Sequence, residues 1–170
     1  MSQTVFGQTD ALALAVADWL TAQTFSMSIK AQRRFVLIDE VSKLPDANSP
    51  VQVDVFPDIE LSDRQGISNA FSSHYAVHLF IQQRLTSAVI TDGAKDEDTQ
   101  CALLTRLRSE IIEGLKSAQI PLTSAVHTSA QGLRMVQVKN ADKQGLYDLA
   151  RLLGQHVFAS DTILVFRAAV

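Results

Sequence analysis

Val51-Gln52-Val53-Asp54-Val55-Phe56-Pro57 and, after a polar segment, His74-Tyr75-Ala76-Val77-His78-Leu79-Phe80-Ile81-Gln82-Gln83-Arg84 decide the fold class. In the second run Tyr75, Val77, Leu79, Ile81 and Gln83 take one face, and His74, His78, Gln82 and Arg84 dominate the other. Alternation of that length predicts a half-buried strand over residues 73–85 in an antiparallel sheet. The first run predicts a strand over 51–56 that Pro57 stops. The two can pair directly across a polar loop at 58–73, which holds Asp63, Arg64, Gly66 and Asn69.

Upstream, Leu12, Ala15, Val16, Trp19 and Leu20 recur at helical spacing and predict a helix over 11–22, capped by Thr9 or Asp10 and anchored in the core by Trp19. Phe25, Met27 and Ile29 predict a strand ending at Arg33-Arg34. Residues 34–50 read as a long excursion with room for a short strand near 35–41. Downstream, residues 91–99 form a hydrophilic hinge. Leu104, Leu107, Ile111, Ile112, Leu115 and Ala118 then make an apolar stripe, predicting a helix over 100–117 that Ile120-Pro121 ends. Asp96, Glu97 and Asp98 suit its N-terminal dipole. A fourth strand is expected around Met135, Val136 and Val138. A helix over 143–154 should follow, capped by Asp142, with Leu146, Leu149, Ala150 and Leu153 facing inward. A fifth strand is expected over 162–169. This order predicts one α+β domain spanning 1–170, with a mixed, mainly antiparallel sheet and helices packed on one face. Its second face, carrying His74, His78, Gln82 and Arg84, is expected to be open to solvent or a partner.

Composition narrows the function. The 170 residues are 46% hydrophobic and 19% charged, so the chain is globular. A net charge of −3 and a pI near 5.7 argue against binding nucleic acid by phosphate neutralisation. The single Cys101 precludes an intrachain disulfide. Residues 1–8 lack a basic region followed by an apolar run, so no signal peptide is expected. Apolar runs fall far short of the roughly 20 residues of a membrane helix.

Motifs for chemistry are sparse. His74 and His78 share a face, but four strand residues separate them by about 13 Å, too far for joint chelation. Contact histidines are the simpler reading. Asp92, Asp96, Glu97 and Asp98 lack the EF-hand pattern, and the seven glycines form no phosphate loop. Cys101 lies beside the apolar stripe, as a half-buried thiol would. Asp54, opposite in phase to Val53 and Val55, is expected at an exposed strand position. Arg106 and Arg108 can pair with Glu110 and Glu113 along a solvated helix face. No catalytic, metal or cofactor residues are assigned.

The order of these segments resembles the tail-terminator and tail-completion proteins of long-tailed bacteriophages. The resemblance runs through the Ala13-Leu14-Ala15-Val16-Ala17-Asp18-Trp19-Leu20 helix, the strand ending at Arg33-Arg34 and Leu37-Ile38-Asp39-Glu40-Val41. It continues through the Val51 to Pro57 run, Glu60-Leu61-Ser62-Asp63-Arg64, the long 75–84 strand, and the closing helix-strand-helix-strand order. It covers most of the chain and rests on pattern and order rather than on an invariant signature; the tract 86–99 departs from the simplest members. It implies a structural virion protein, assembled in the host cytoplasm and located in the tail or neck. Such a protein forms a ring, hexameric in the family, that caps the tail tube, stops its polymerisation and docks to head-tail connector and neck proteins. It implies no enzymatic activity, and DNA passing through the lumen without specific binding. Arg33, Arg34, Asp39, Glu40, Asp63, Arg64, His74, His78 and Arg84 are then the candidate contacts with neighbouring subunits or the tail tube. Two alternatives remain open: a head-tail joining or sheath-associated ring protein, and a small ligand-binding or metal-dependent enzyme domain built on His74, His78 and Asp54.

Overall fold

The structure, a computed structural model, describes residues 3–58, 74–85, 97–123, 128–140 and 146–168. Among these residues are three helices, α1 (Gln3–Ala22), α2 (Glu97–Ser117) and α3 (Leu149–Gln155). Six strands accompany them: β1 (Ile29–Arg33), β2 (Val51–Pro57), β3 (His74–Arg84), β4 (Ile120–Thr123), β5 (Thr128–Asn140) and β6 (Val157–Ala168). The strands form one mixed sheet in the order β1-β2-β3-β6-β5-β4. The β1/β2 pair is parallel and every other pair is antiparallel. The fold is α+β with the helices on one side.

The expected pairing of β2 with β3 is present, with Val53 opposite Ile81 and Val55 opposite Leu79. The alternation in β3 sends Val77, Leu79 and Ile81 into the helix-side core. There they meet Leu12, Val16 and Leu20 of α1, and the core continues through Leu104, Leu107, Ile111 and Leu115 of α2. The sheet curls around α1, which touches β1 and β2 at one side and β4 at the other. Trp19 is half-buried rather than a central anchor. Its ring lies so close to Gly114 that a Cβ there would sit 3.0 Å from it, which lets α1 and α2 approach.

The second face of the sheet is only partly open, because a crossover covers Gln82 and the start of β6 while His78 stays half-exposed, and the reason is topological. Parallel strands cannot be joined by a tight turn; they need a crossover of about a dozen residues or more. Residues 34–50 are that crossover, and they contain a 3-10 turn at Val41–Lys43 instead of a strand. Leu44, with Ile38 and Val41, packs onto Val157, Ala159 and Phe80, the residues of β6 and β3 that point away from the helices. The crossover's carbonyls are satisfied by the sheet: Gln83 Nε2 donates to Asp46 O and Ser49 O at 2.9 and 3.0 Å, and Arg84 Nε to Leu44 O at 2.9 Å.

Other expectations need correction. Ile120-Pro121 does not merely end α2; it begins β4. A proline fits there because β4 is an outer strand and need not donate on its open side. The last helix is shorter, starting at Leu149, and its cap is Asp148, whose carboxylate accepts from Arg151 N at 3.0 Å. Asp142 lies outside the described residues. Leu149 and Leu153 of this helix, and Leu146 in the bend before it, are exposed rather than inward, at 46%, 72% and 43%. Tyr147 and Leu152 make the inward contacts instead. Arg108 does not join a solvated ladder with Glu110 and Glu113. It is buried, and it donates to Thr162 Oγ1 at 3.1 Å and Asn140 Oδ1 at 2.6 Å, joining α2 to β6 and β5. Arg106 does pair with Glu110, at 3.1 Å. No helix among the described residues is long and apolar enough to cross a membrane.

Candidate functional site

The second sheet face carries an unusual density of polar side chains. Register explains how they meet. His78 of β3 lies opposite Phe56 of β2 and Ile163 of β6. Asp161, two residues before Ile163, is therefore its diagonal neighbour on one side. On the other side Asp58, just past β2, donates its backbone N–H to Ala76 O and stands diagonal to His78. His78 Nδ1 is 2.8 Å from Asp161 Oδ1, and Nε2 is 3.1 Å from Asp58 Oδ2. Burial works against the imidazolium, but the hydrogen bonds its ring donates to Asp161 and Asp58, and their charges, outweigh it and push the pKa up to about 9. At neutral pH both ring nitrogens carry protons and both are donors. The imidazolium sits between two carboxylates, and the raised pKa disfavours it as a general base at neutral pH.

Above this floor stands an apolar wall. Phe35, Val36 and Leu37 leave β1 and, with Phe56, Phe80, His78 and Asp161, enclose a cleft of about 430 Å³. Phe56 and Phe80 meet edge to face at 6.4 Å. Phe35, Val36 and Leu37 are 65%, 76% and 48% exposed, although apolar.

A second polar cluster lies toward β1. Asp54, expected at an exposed position, is fully buried, because the crossover covers the face it occupies. Its Oδ1 accepts from Arg34 Nε at 2.9 Å, Gln32 Nε2 at 3.3 Å and Gln52 Nε2, tying β1 to β2. Burial raises its pKa, opposed by Gln52, Arg34 and Gln32. Its Oδ2 and the Oε1 of its diagonal neighbour Gln82 accept no hydrogen bond. The arrangement is a strand clamp rather than an acid poised over a substrate.

The sequence-derived contact residues are scattered by comparison. Arg33 ion-pairs with Asp10 at 2.7 Å and stacks 5.1 Å over Phe35, so it braces the apolar wall. Arg34 belongs to the Asp54 clamp. Asp39 and Glu40 are exposed on the crossover, and Glu40 pairs with Lys43 at 2.7 Å. Arg84 holds the crossover through Leu44 O. His74 begins β3, opposite Arg167, and the His78 cluster does not include it. Asp63 and Arg64 lie outside the described residues. Asp58 and Asp161, the two residues that define the behaviour of His78, were not singled out as its partners. The signal for Asp161 was available only by starting the last strand at Val157. Among the described residues no group of His, Cys, Asp and Glu could hold a metal ion. Cys101 is half-buried; burial, Glu97 and Asp98 all push its thiol pKa up, which disfavours the reactive thiolate.

Comparison with protein-family models, with curated proteins and with solved structures found no match to this chain.

Proposed function

We propose that this protein is a self-assembling structural subunit of the tail-terminator type, a virion component whose copies close into a ring over a tail tube and present a docking face to the neck. The observation that carries the reading is the exposed apolar run Phe35-Val36-Leu37, held outward on the crossover and braced by Arg33. Exposed contiguous apolar surface marks an interaction site. Here it sits on a sheet whose polar residues are spent on internal clamps, Arg34–Asp54 and Asp58–His78–Asp161. A small net negative charge suits a lumen through which DNA slides without being gripped.

The enzyme alternative draws less support from the same residues. His74 and His78 do not converge, Asp54 is buried beneath the crossover, and His78 is locked as a cation. The test is removal of the gene from the virus that encodes it. Tail tubes of uncontrolled length, without heads attached, are expected in negative-stain images. Tubes of normal length would overturn the terminator reading.

A further inference from the structure

The crossover lies on the second sheet face as a strap, and its attachment is thin. Leu44 is the one buried residue between Phe35 and Pro50. With the partly buried Ile38 and Val41 it packs on Val157, Ala159 and Phe80, a cluster separate from the helix-side core. The polar attachment is one-sided. Gln83 Nε2 donates to Asp46 O and Ser49 O, Arg84 Nε to Leu44 O, and Arg84 N to Pro45 O. The end of β3 thus supplies the donors, and Gln82 Nε2 reaches Ile38 O only at 3.5 Å. The strap gives little back: among the described residues the backbone N–H groups from Phe35 to Ser42 have no acceptor.

Two buried acceptors oppose closure. Asp54 Oδ2 and Gln82 Oε1 have no donor, and both residues are 0% exposed. A buried acceptor without a partner costs free energy that contact with water restores. The closed strap keeps water from these atoms, and lifting it lets water in. The ends of the strap are anchored independently, by Arg34 N on Val55 O at 3.0 Å and Val51 N on Ser28 O at 2.8 Å. The β1/β2 pairing uses no residue between them. Segments held by few buried apolar contacts open locally, ahead of global unfolding. We propose that the strap is a lid, hinged at Arg34 and Val51, that lifts as a unit off an intact sheet. Lifting it lets water reach Asp54 and Gln82 and uncovers Val157 and Ala159. Phe35, Val36 and Leu37 ride on the lid, so the same motion opens and closes the cleft over His78 and Asp161. The lid rests on how the strap is attached and holds whether or not copies of the chain form a ring.

The test compares two matched thiols in a Cys101→Ser background. Val157→Cys places one beneath the strap and Val53→Cys places one in the helix-side core; both valines are 0% exposed. Circular dichroism checks each fold, and Val55→Cys, equally buried in that core, replaces Val53→Cys if the latter does not fold. Below the unfolding transition, the Val157→Cys thiol should react with an aromatic disulfide reagent roughly 100-fold or more faster than the core thiol. Its rate should change little with urea, because the lid exposes little surface, while the core thiol's rate climbs with the slope of global unfolding. Amide exchange separates lid opening from fraying of β6. Strap release frees the Arg84 N–H from Pro45 O and leaves the Leu85 N–H on His156 O. A fast Arg84 amide beside a slow Leu85 amide, each relative to its intrinsic rate, is the expected pattern. Equal thiol rates with parallel urea slopes, or a Leu85 amide that exchanges as fast as that of Arg84, would overturn the lid.

Discussion

Raising the pH should remove the charge on His78 and with it a measurable part of the stability. The folded-state pKa, about 9, lies above the ordinary value of 6.5. The folded chain therefore binds a proton between those values that the unfolded chain has released. The contribution is fully present below pH 6.5 and is lost as pH rises through about 9. A displacement of that size corresponds to about 3 kcal/mol at most. The ring is 28% exposed and Asp161 27% exposed, so solvent trims this to about 2 kcal/mol. With a urea dependence of about 2 kcal/mol per molar, the midpoint should fall by about 1 M between pH 6.5 and 9. The single tryptophan, Trp19, provides the fluorescence signal, with far-UV circular dichroism as a second probe. Cys101, also raised, destabilises in the same direction at high pH, so the series is run in a Cys101→Ser background. His78→Gln should be less stable at pH 6.5 and should lose the slope, because Asp58 and Asp161 then face each other without a cation. A midpoint that stays level to pH 9, or a slope that survives in His78→Gln, would show that His78 is not held as a cation by Asp58 and Asp161.

Three further substitutions probe the scaffold. Gly132→Ala should lower the melting temperature by the equivalent of about 1–3 kcal/mol, because φ is +71° and a Cβ would lie 2.9 Å from Ile120 O. An unchanged melting temperature would contradict the β4/β5 geometry. Arg108→Ala should cost about 2–3 kcal/mol in urea unfolding by orphaning Thr162 and Asn140, whereas exposed Arg106→Ala should cost under about 0.5 kcal/mol; equal losses would sink that distinction. Asp54→Asn should be tolerated within about 1 kcal/mol at neutral pH, since the amide oxygen can still accept from Arg34, Gln32 and Gln52. Asp54→Ala should cost clearly more, and a reversal of that order would remove the strand-clamp account.

The long strand β3 was legible because one of its faces meets the helices and the other is largely polar. Helix α2 was legible from its stripe. The β2/β3 pairing followed from their adjacency. What could not be read was the parallel β1/β2 pair, since no local pattern distinguishes a crossover from a loop. That one omission hid the burial of Asp54 and Gln82. The start of β6 was missed for a related reason. Val157, Phe158, Ala159 and Ser160 are all buried, so the strand lacks alternation where it is covered on both faces. Asp161 was lost with it, and His78 was left without its partner. The spacing of Leu146, Leu149 and Leu153 suggested a helical face, but the helix begins only at Leu149 and both of its leucines at 149 and 153 are exposed. Periodicity specifies a face but not its direction, and Tyr147 and Leu152 supply the inward contacts instead.

Under the proposed function, copies of this chain close into a ring. Size-exclusion chromatography with multi-angle light scattering, run over a wide concentration range, reads ring closure from mass alone. Mass should grow with concentration from the 18.6 kDa chain to a closed species of about six copies, with no larger polymer. A concentration-independent monomer or dimer would contradict it.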